Sequence, residues 1–356
     1  MKAKALWINQ IKGLCICLVV IYHSVITFYP YLLEMEDTHS VFLAKCWVYL
    51  NLYMAPFRMP VFFFISGFLI TRYINDVPWG NSMRKRVWPI LYVLALWGVI
   101  QWLSLVSINQ WLAPEKILST SNAAYSETMA DFVARMGTAS TSLWYLYAMI
   151  VYFPLCKLLS RYKAVLLPVL MLTSIAINFF PTPFWGMNSV IRNLVYYATG
   201  AWFGAQLVLW IKTHALRDNL LWFTAAIIFS FAMYNLKINL FLSLLSIVLI
   251  MRVFWLLEGK LQPTESSIMN QLGTNTISIY TTHRIIIEAL SLWSLSLIKG
   301  DVLSTPVILG ILLVYPFFSL AICTAVGMAA RKVSQHLFSD ILFTPPLPGA
   351  TQSPAR

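Results

Sequence analysis

Long apolar runs recur along the whole chain and are separated by short polar segments. We predict ten such spans, at residues 11–31, 48–71, 87–111, 143–160, 164–180, 192–211, 219–235, 238–257, 270–297 and 305–330. A run of about 20 apolar residues is long enough to cross the hydrocarbon core of a bilayer. The pattern therefore predicts an all-α, polytopic membrane bundle of about ten transmembrane helices.

This bundle occupies residues 1–343 as one domain, and the proline-rich residues 344–356 predict a disordered tail. Two polar segments, 32–47 and 112–142, are the longest predicted loops on one face of the membrane. No internal repeat is visible, although many transporter folds are built from repeated halves. We expect no cleavable signal peptide, because no small-residue cleavage site follows the first apolar run.

The charge pattern gives the bundle an orientation. Of the 25 Lys and Arg residues, two are left inside the membrane (Arg58 and Arg284) and six fall on one face. Those six are Lys45, Lys116, Arg135, Arg192, Lys237 and Lys299. The other 17 fall on the opposite face, which the positive-inside rule marks as cytoplasmic. We therefore predict that both termini are cytoplasmic, and we explain the net charge of +12 by topology rather than by a nucleic-acid partner.

Composition supports the membrane class, since 59% of residues are hydrophobic and 11% are charged, against roughly 25% charged in soluble domains. The five cysteines form no CxxC pair and have no metal-ligand spacing, so we predict neither a disulfide nor a metal site. They are Cys15, Cys17, Cys46, Cys156 and Cys323.

The first span contains two residues suited to chemistry, Lys12 and His23. Eleven residues of helix place them on one face, about 16 Å apart along the axis. Lys12 is expected at the cytoplasmic boundary, where a snorkelling anchor is the plain alternative. His23 is expected near mid-membrane, where an ionisable side chain is costly and is a functional candidate. A neutral imidazole there is suited to general-base catalysis, and an interhelical hydrogen bond is the structural alternative.

Three further segments carry polar residues within or beside spans. Arg58 lies between Pro56 and Pro60 on the outer half of the second span, where it needs protein, water or an anionic ligand as a partner. Ser66-Gly67 favours close helix packing over nucleophilic chemistry.

At the cytoplasmic start of the third span, Arg84-Lys85-Arg86 serves either topology or phosphate binding. Together with Lys12, it would form a basic mouth suited to a nucleotide-type donor.

The ninth span contains His283, Arg284 and Glu288. Arg284 and Glu288 are four residues apart, and we predict that they form an internal ion pair. His283 is then a second polar site at membrane depth. The aromatic residues around Trp144, at the outer end of the fourth span, are typical of an interfacial belt.

Together these segments resemble the acyltransferase 3 family of membrane O-acyltransferases, over almost the whole chain to about residue 343. The first helix of that family bears a basic residue, then ten intervening positions and then a histidine. Lys12 and His23 match this pattern, with Lys in place of the commoner Arg. Phe63 to Phe68, Arg84 to Pro89, Trp144 to Tyr147, and Tyr280 to His283 match further elements of the family. The chain departs from the pattern at Asn9, where many members have Asp, and at Ala148-Met149, where many have a Glu pair. No carboxylate is therefore evident to orient His23.

The resemblance implies a protein of the bacterial inner membrane that uses acyl-CoA as a co-substrate, with no permanently bound cofactor. The acyl group, expected to be acetyl, would pass to a hydroxyl of a glycan or lipid-linked sugar reached from the other side. Lys12, Arg84, Lys85 and Arg86 would then bind the donor phosphates, and His23 would be the general base. Arg58, Tyr280 and His283 are candidates for oxyanion stabilisation or acceptor binding. Direct transfer and an acyl-His intermediate both remain open.

Two other functions compete with this hypothesis. One is a secondary transporter or exporter in which His23, Arg58 and Glu288 form a proton or substrate path. The other is a catalytically inactive sugar-binding or regulatory membrane protein, which the departures at Asn9 and Ala148-Met149 leave open.

Overall fold

The computed structural model describes residues 6–32, 37–113, 126, 128–214, 220–261, 263–299 and 303–346. Within these ranges the secondary structure is helical. The helices are α1 (Leu6–Phe28), α2 (Thr38–Tyr53), α3 (Ala55–Leu69), α4 (Thr71–Asn75), α5 (Trp79–Ser82), α6 (Trp88–Leu112), α7 (Met129–Gly137), α8 (Trp144–Leu158), α9 (Lys163–Phe179), α10 (Trp185–Thr213), α11 (Leu220–Asn235), α12 (Leu240–Leu261), α13 (Ile268–Thr274), α14 (Thr276–Lys299) and α15 (Thr305–Leu337).

In this described part of the chain, seven helical segments are long and apolar enough to cross a membrane. They are Leu6–Leu32, Thr38–Leu69, Trp79–Leu112, Ser160–Phe179, Trp185–Thr213, Leu240–Lys260 and Thr305–Leu337. The remaining predicted spans correspond to the shorter apolar helices α8 and α11 and to α14, which carries buried charges. The prediction of a polytopic helical membrane bundle is confirmed.

Two predicted spans are each divided into two helices. The second span, predicted as 48–71, is divided at Met54, just before Pro56, which has no backbone N–H to donate. The ninth span, predicted as 270–297, is divided at Asn275, between α13 and α14. Both breaks fall inside runs that the hydropathy pattern showed as continuous.

The predicted loops contain helices as well. α2 begins at Thr38, inside the predicted loop 32–47, because the Asp37 side chain accepts a hydrogen bond from the backbone N–H of Ser40 at 2.9 Å. α7 lies within the predicted segment 112–142, and Thr128 caps its first turn. Of the predicted tail, residues 347–356 lie outside the described residues.

Glycines bring the central helices into backbone contact. A Cβ added to Gly67 of α3 would lie 2.1 Å from the Tyr197 carbonyl of α10, and one on Gly200 would lie 2.1 Å from the Phe64 carbonyl. A Cβ on Gly13 of α1 would lie 2.3 Å from the Met269 carbonyl of α13. Only glycine allows such close approach, so these positions fix how α3 meets α10 and how α1 meets α13.

α1 is surrounded by other helices and packs against α3, α12, α13, α14 and α15. In contrast, α11 exposes large apolar side chains such as Leu221 and Trp222 at 79% and 76%, as a lipid-facing helix does. The first helix is therefore the inner element of the bundle, and its side chains face other helices.

Candidate active site

α1 presents His23 to a cavity of about 390 Å³, which is within the usual range for small-molecule sites. The walls come from α1, α3, α8, α10, α12 and α14 and from residues just before these helices. The polar side chains around it are Tyr22, His23, Arg58, Ser142, Trp144, Trp185, Ser189, Arg192, Asn193, Tyr196, Asn239, Ser243, Tyr280 and Arg284. The cavity thus joins the first-helix histidine to polar groups from five other parts of the chain.

His23 lies beside the second histidine of the membrane region. The ring centroids of His23 and His283 are 4.9 Å apart, with the planes tilted by 53°. His283 is fully buried, and its Nδ1 is 2.6 Å from the Tyr280 carbonyl oxygen. A carbonyl only accepts hydrogen bonds, so Nδ1 carries the proton and Nε2 of the neutral ring is an acceptor. That Nε2 is buried and has no hydrogen-bond partner among the described residues.

Arg58 is buried beside His23, with 6% of its surface exposed. Its guanidinium donates to the Asn51 backbone carbonyl at 2.7 Å and to the Asn51 side-chain oxygen at 2.6 Å. It also lies 4.2 Å above the centre of the Tyr22 ring. These contacts hold a cation at the cavity wall with uncharged groups.

Arg284 and Glu288 form the predicted ion pair, at 3.0 Å with both side chains 1% exposed. Arg284 also donates to the Thr27 hydroxyl at 2.7 Å, and Asn109 donates to the other Glu288 oxygen at 3.3 Å. This network links α1, α6 and α14. Because Glu288 lies behind Arg284 and outside the cavity wall, the pair neutralises a charge that would otherwise face the cavity.

Tyr280 has its hydroxyl engaged. It donates to the Ser142 carbonyl at 2.6 Å and accepts from the Tyr145 backbone N–H at 3.4 Å. Its single proton is therefore used within the protein, which makes Tyr280 a wall residue of the cavity rather than a free oxyanion donor. Trp144, the first residue of α8, lines the same cavity.

Ser66 and Gly67 lie at the interface of α3 with its neighbours. The Ser66 hydroxyl pairs with the Phe62 carbonyl at 2.8 Å and with the Tyr145 hydroxyl at 2.7 Å. Gly67 touches the backbone of α10, as described above. Both residues thus contribute to helix packing in this structure, outside the cavity wall.

The predicted donor-binding residues lie in two different parts of the bundle, on α1 and in the turn before α6. Lys12 is half-buried on the turn of α1 that packs against α13. Arg84 and Lys85 are exposed in a π-helical turn before α6, and the Arg86 guanidinium lies 4.0 Å above the Tyr73 ring of α4. A phosphate group held by both sets would have to bridge them.

The end of α4 is held by Lys157, which the charge pattern assigned only to topology. The Lys157 ammonium donates to the carbonyls of Tyr73, Ile74 and Val77, at 2.6, 3.1 and 2.8 Å. It therefore caps the carbonyl end of α4, which α5 separates from the turn that carries Arg84 to Arg86. An interior lysine bound to three carbonyls could not be recognised from the sequence.

Several cavity residues on α10 and α12 were missed by the sequence analysis. Arg192, Asn193, Asn239 and Ser243 all line the cavity. Arg192 was counted as an outer-loop charge because the predicted span began there, whereas α10 begins at Trp185 and places it two turns inside the helix. The one sequence signal for Arg192 was its position on the membrane face that has few Lys and Arg residues.

The departures at Asn9 and Ala148-Met149 have structural counterparts. The Asn9 amide donates to the Asn270 side-chain oxygen at 3.1 Å and so links α1 to α13. Ala148 and Met149 are buried in the apolar core. The ring of His283 is one polar neighbour of His23 in the described structure.

The chain is similar to known proteins over nearly its whole length. A family model described as an acyltransferase domain matches residues 5–329. The inner membrane protein YcfT of Escherichia coli strain K12 is 58% identical over 352 residues, which cover 98% of this chain and 99% of that protein. No solved structure matches the chain. The matched region includes every helix that lines the cavity.

Proposed function

Since this chain is a multi-pass inner membrane protein of the acyltransferase 3 family, we propose that it transfers an acyl group from cytoplasmic acyl-CoA to an envelope acceptor. The group moved is expected to be acetyl, and the acceptor is a hydroxyl of a glycan or related molecule. The observation that carries the proposal is the position of His23, an imidazole in the second half of α1 on the wall of a polar cavity.

His23 acts as the general base in the proposed reaction. The acceptor hydroxyl gives its proton to His23 while its oxygen forms a bond to the thioester carbonyl carbon. The tetrahedral intermediate then loses the C–S bond, and the CoA thiolate takes the proton from the imidazolium. The products are an ester and free CoA, and His23 returns to its neutral form.

His283 is the positioning residue for this base. With its Nδ1 proton held by the Tyr280 carbonyl, its Nε2 is available to accept an N–H from His23. That contact would leave the lone pair of the other His23 nitrogen free for the acceptor hydroxyl. Catalytic hydrogen bonds are often loose in the absence of substrate, which suits the present ring separation.

Arg58 is the best-placed cation for negative charge in the cavity, either on the thioester oxygen as the oxyanion develops or on the acceptor. It lies on the cavity wall and is held against the ring of Tyr22, the residue before His23. A preorganised cation at this position would stabilise either charge without reorganising.

The donor and acceptor are proposed to approach from opposite ends of α3. Pro56 and Arg58, at the start of α3, line the cavity, whereas the basic turn of Arg84 to Arg86 follows the far end of α3 and α4. Lys12 lies three turns before His23 on α1, towards that basic end. This arrangement supports a donor whose phosphates bind at the cytoplasmic face and an acceptor that enters from the other side.

The test uses the full-length protein in lipid nanodiscs, with acetyl-CoA and an envelope glycan extract as acceptor. Release of CoA thiol is followed with a chromogenic thiol reagent, and acetyl ester formation is followed by mass spectrometry. His23→Ala is expected to lower kcat by about 10²–10⁴-fold, the usual contribution of a general base. His336→Ala is the matched control, because His336 is exposed and bonds to its own helix.

Transfer that persists in a folded His23→Ala protein would remove His23 from the proposed role. Proton-coupled uptake into vesicles without any dependence on CoA would instead favour the transporter hypothesis. An acetyl group found on the His23 peptide after acid quench, in the absence of acceptor, would establish an acyl-His intermediate in place of direct transfer.

A further inference from the structure

The cavity beside His23 has an excess of positive charge. Three guanidinium groups line it, those of Arg58, Arg192 and Arg284, and the lining that the described residues provide includes no Asp or Glu. Arg284 is neutralised from behind by Glu288 at 3.0 Å. The other two arginines, from α3 and α10, are called the arginine pair below.

The arginine pair has only uncharged partners in the described structure. Arg58 is bound by the Asn51 carbonyl and amide oxygens and by the face of the Tyr22 ring. Arg192 has a buried Nε with no hydrogen-bond partner among the described residues. Buried cations inside a membrane protein normally pair with an opposite charge or bind a ligand that supplies one.

Hydration alone accounts poorly for this arrangement. Arg58 is only 6% exposed, so water reaches little of its surface. Both members of the pair converge on one cavity that also contains the amides of Asn193 and Asn239 and the hydroxyl of Ser243. Fixed guanidinium forks combined with neutral donors and acceptors match a molecule that carries both an anionic group and several hydroxyls.

We infer that this cavity binds an anionic, hydroxyl-bearing acceptor, whose carboxylate or phosphate is held by Arg58 and Arg192. The inference rests on the proposed function, since it places the acceptor hydroxyl beside His23. Trp144 and Trp185 line the same cavity and offer apolar faces against which a sugar ring can pack. The anion supplies the counter-charge that the arginine pair lacks, and it selects against neutral sugars of the same size.

The test measures binding by isothermal titration calorimetry to full-length protein in phosphatidylcholine nanodiscs. The probes are phenyl β-glucuronide and phenyl β-glucoside, which share a skeleton and differ in one carboxylate. We expect the glucuronide to bind at least about tenfold more tightly, as charge-assisted hydrogen bonds provide. Arg58→Gln and Arg192→Gln should each remove most of that preference, whereas Arg161→Gln, at an exposed position, should leave it intact.

A second arm distinguishes a soluble anion from a lipid headgroup. If the anion is carried by a phospholipid-like molecule, phosphatidylglycerol in the nanodisc will weaken glucuronide binding in the wild-type protein and not in Arg192→Gln. If the anion is carried by a soluble or glycan-linked acid, phosphatidylglycerol will have no effect and inorganic phosphate will compete. Both results support an anion site and identify its source.

Equal affinity for the two probes, or a preference that survives in a folded Arg58→Gln/Arg192→Gln protein, overturns the inference. Binding requires no acyl transfer, so the same titration in His23→Ala separates the two proposals. Arginine-dependent glucuronide binding without CoA-dependent acylation of any acceptor would refute the proposed function and leave the anion site. Acylation of glucoside as fast as glucuronide would refute the anionic acceptor and leave the proposed function.

Discussion

The imidazole rings of His23 and His283 lie 4.9 Å apart, and His283 turns its Nδ1 proton to the Tyr280 carbonyl. A neutral histidine fixed in this way has one acceptor, Nε2, that is not otherwise used in the described structure. In the proposed mechanism, His283 would therefore supply the orientation that a carboxylate often supplies to a catalytic imidazole. The role of His283 can be tested by replacing it with glutamine or asparagine, because each amide imitates a different nitrogen of the ring.

Glutamine at position 283 places a polar atom near the Nε2 position, whereas asparagine places one near the Nδ1 position. We expect His283→Gln to keep part of the activity and His283→Asn to lose roughly tenfold more in kcat, because only the former can still accept from His23. The measurement is CoA release with saturating acetyl-CoA, together with the KM for acetyl-CoA, which should not change. Equal losses in both variants, in parallel with equal losses of melting temperature, would indicate that His283 serves only to fill space.

The buried ion pair of Arg284 and Glu288 predicts an asymmetric response to mutation. Glu288→Leu leaves an uncompensated buried guanidinium and should reduce the unfolding free energy by about 3–5 kcal/mol. The double variant Arg284→Met/Glu288→Leu removes both charges and should recover much of that loss. Melting temperatures of purified protein in one detergent measure the cycle, and additive losses in the double variant would contradict the pairing.

Gly67 predicts a packing defect when a methyl group is added. In Gly67→Ala the Cβ would lie 2.1 Å from the Tyr197 carbonyl, so α3 and α10 must separate. The expected loss is about 1–3 kcal/mol of stability, seen as a lower melting temperature. Gly259→Ala in α12 is the matched control, because its Cβ meets nothing within 4 Å. If both variants melt like the wild type, the close contact at Gly67 does not stabilise the bundle.

The exposed basic turn before α6 predicts an effect on the donor alone. Arg84→Gln and Lys85→Gln should each raise the KM for acetyl-CoA by roughly three- to tenfold with little change in kcat, because exposed charges contribute modest, screened attraction to phosphates. Added salt should raise the wild-type KM and affect the KM of the double variant Arg84→Gln/Lys85→Gln less. Arg161→Gln supplies the control for a change of net charge. A fall in kcat at unchanged KM would place the turn outside donor binding.

Hydropathy predicted the helical membrane bundle and the order of its apolar helices, because a helix needs about 20 apolar residues to cross a bilayer. It misplaced breaks and starts, at Met54, at Asn275 and at Trp185. Those boundaries depend on prolines, helix caps and contacts with neighbouring helices. Hydropathy averaged over many residues responds little to any of these. The misplaced start of α10 hid Arg192, which the structure places on the cavity wall.

The sequence by itself determined the membrane class, the first-helix pair of Lys12 and His23, and the ion pair of Arg284 with Glu288, since these follow from hydropathy and helical periodicity. Only the tertiary structure decided that His23 lies beside His283 and that the Tyr280 hydroxyl donates its proton to the Ser142 carbonyl. It also decided that Arg58 and Arg192 face one cavity. The physical reason is that helical spacing relates residues a few turns apart on one helix. Which helices touch is decided by close contacts such as Gly67 on α10 and Gly13 on α13.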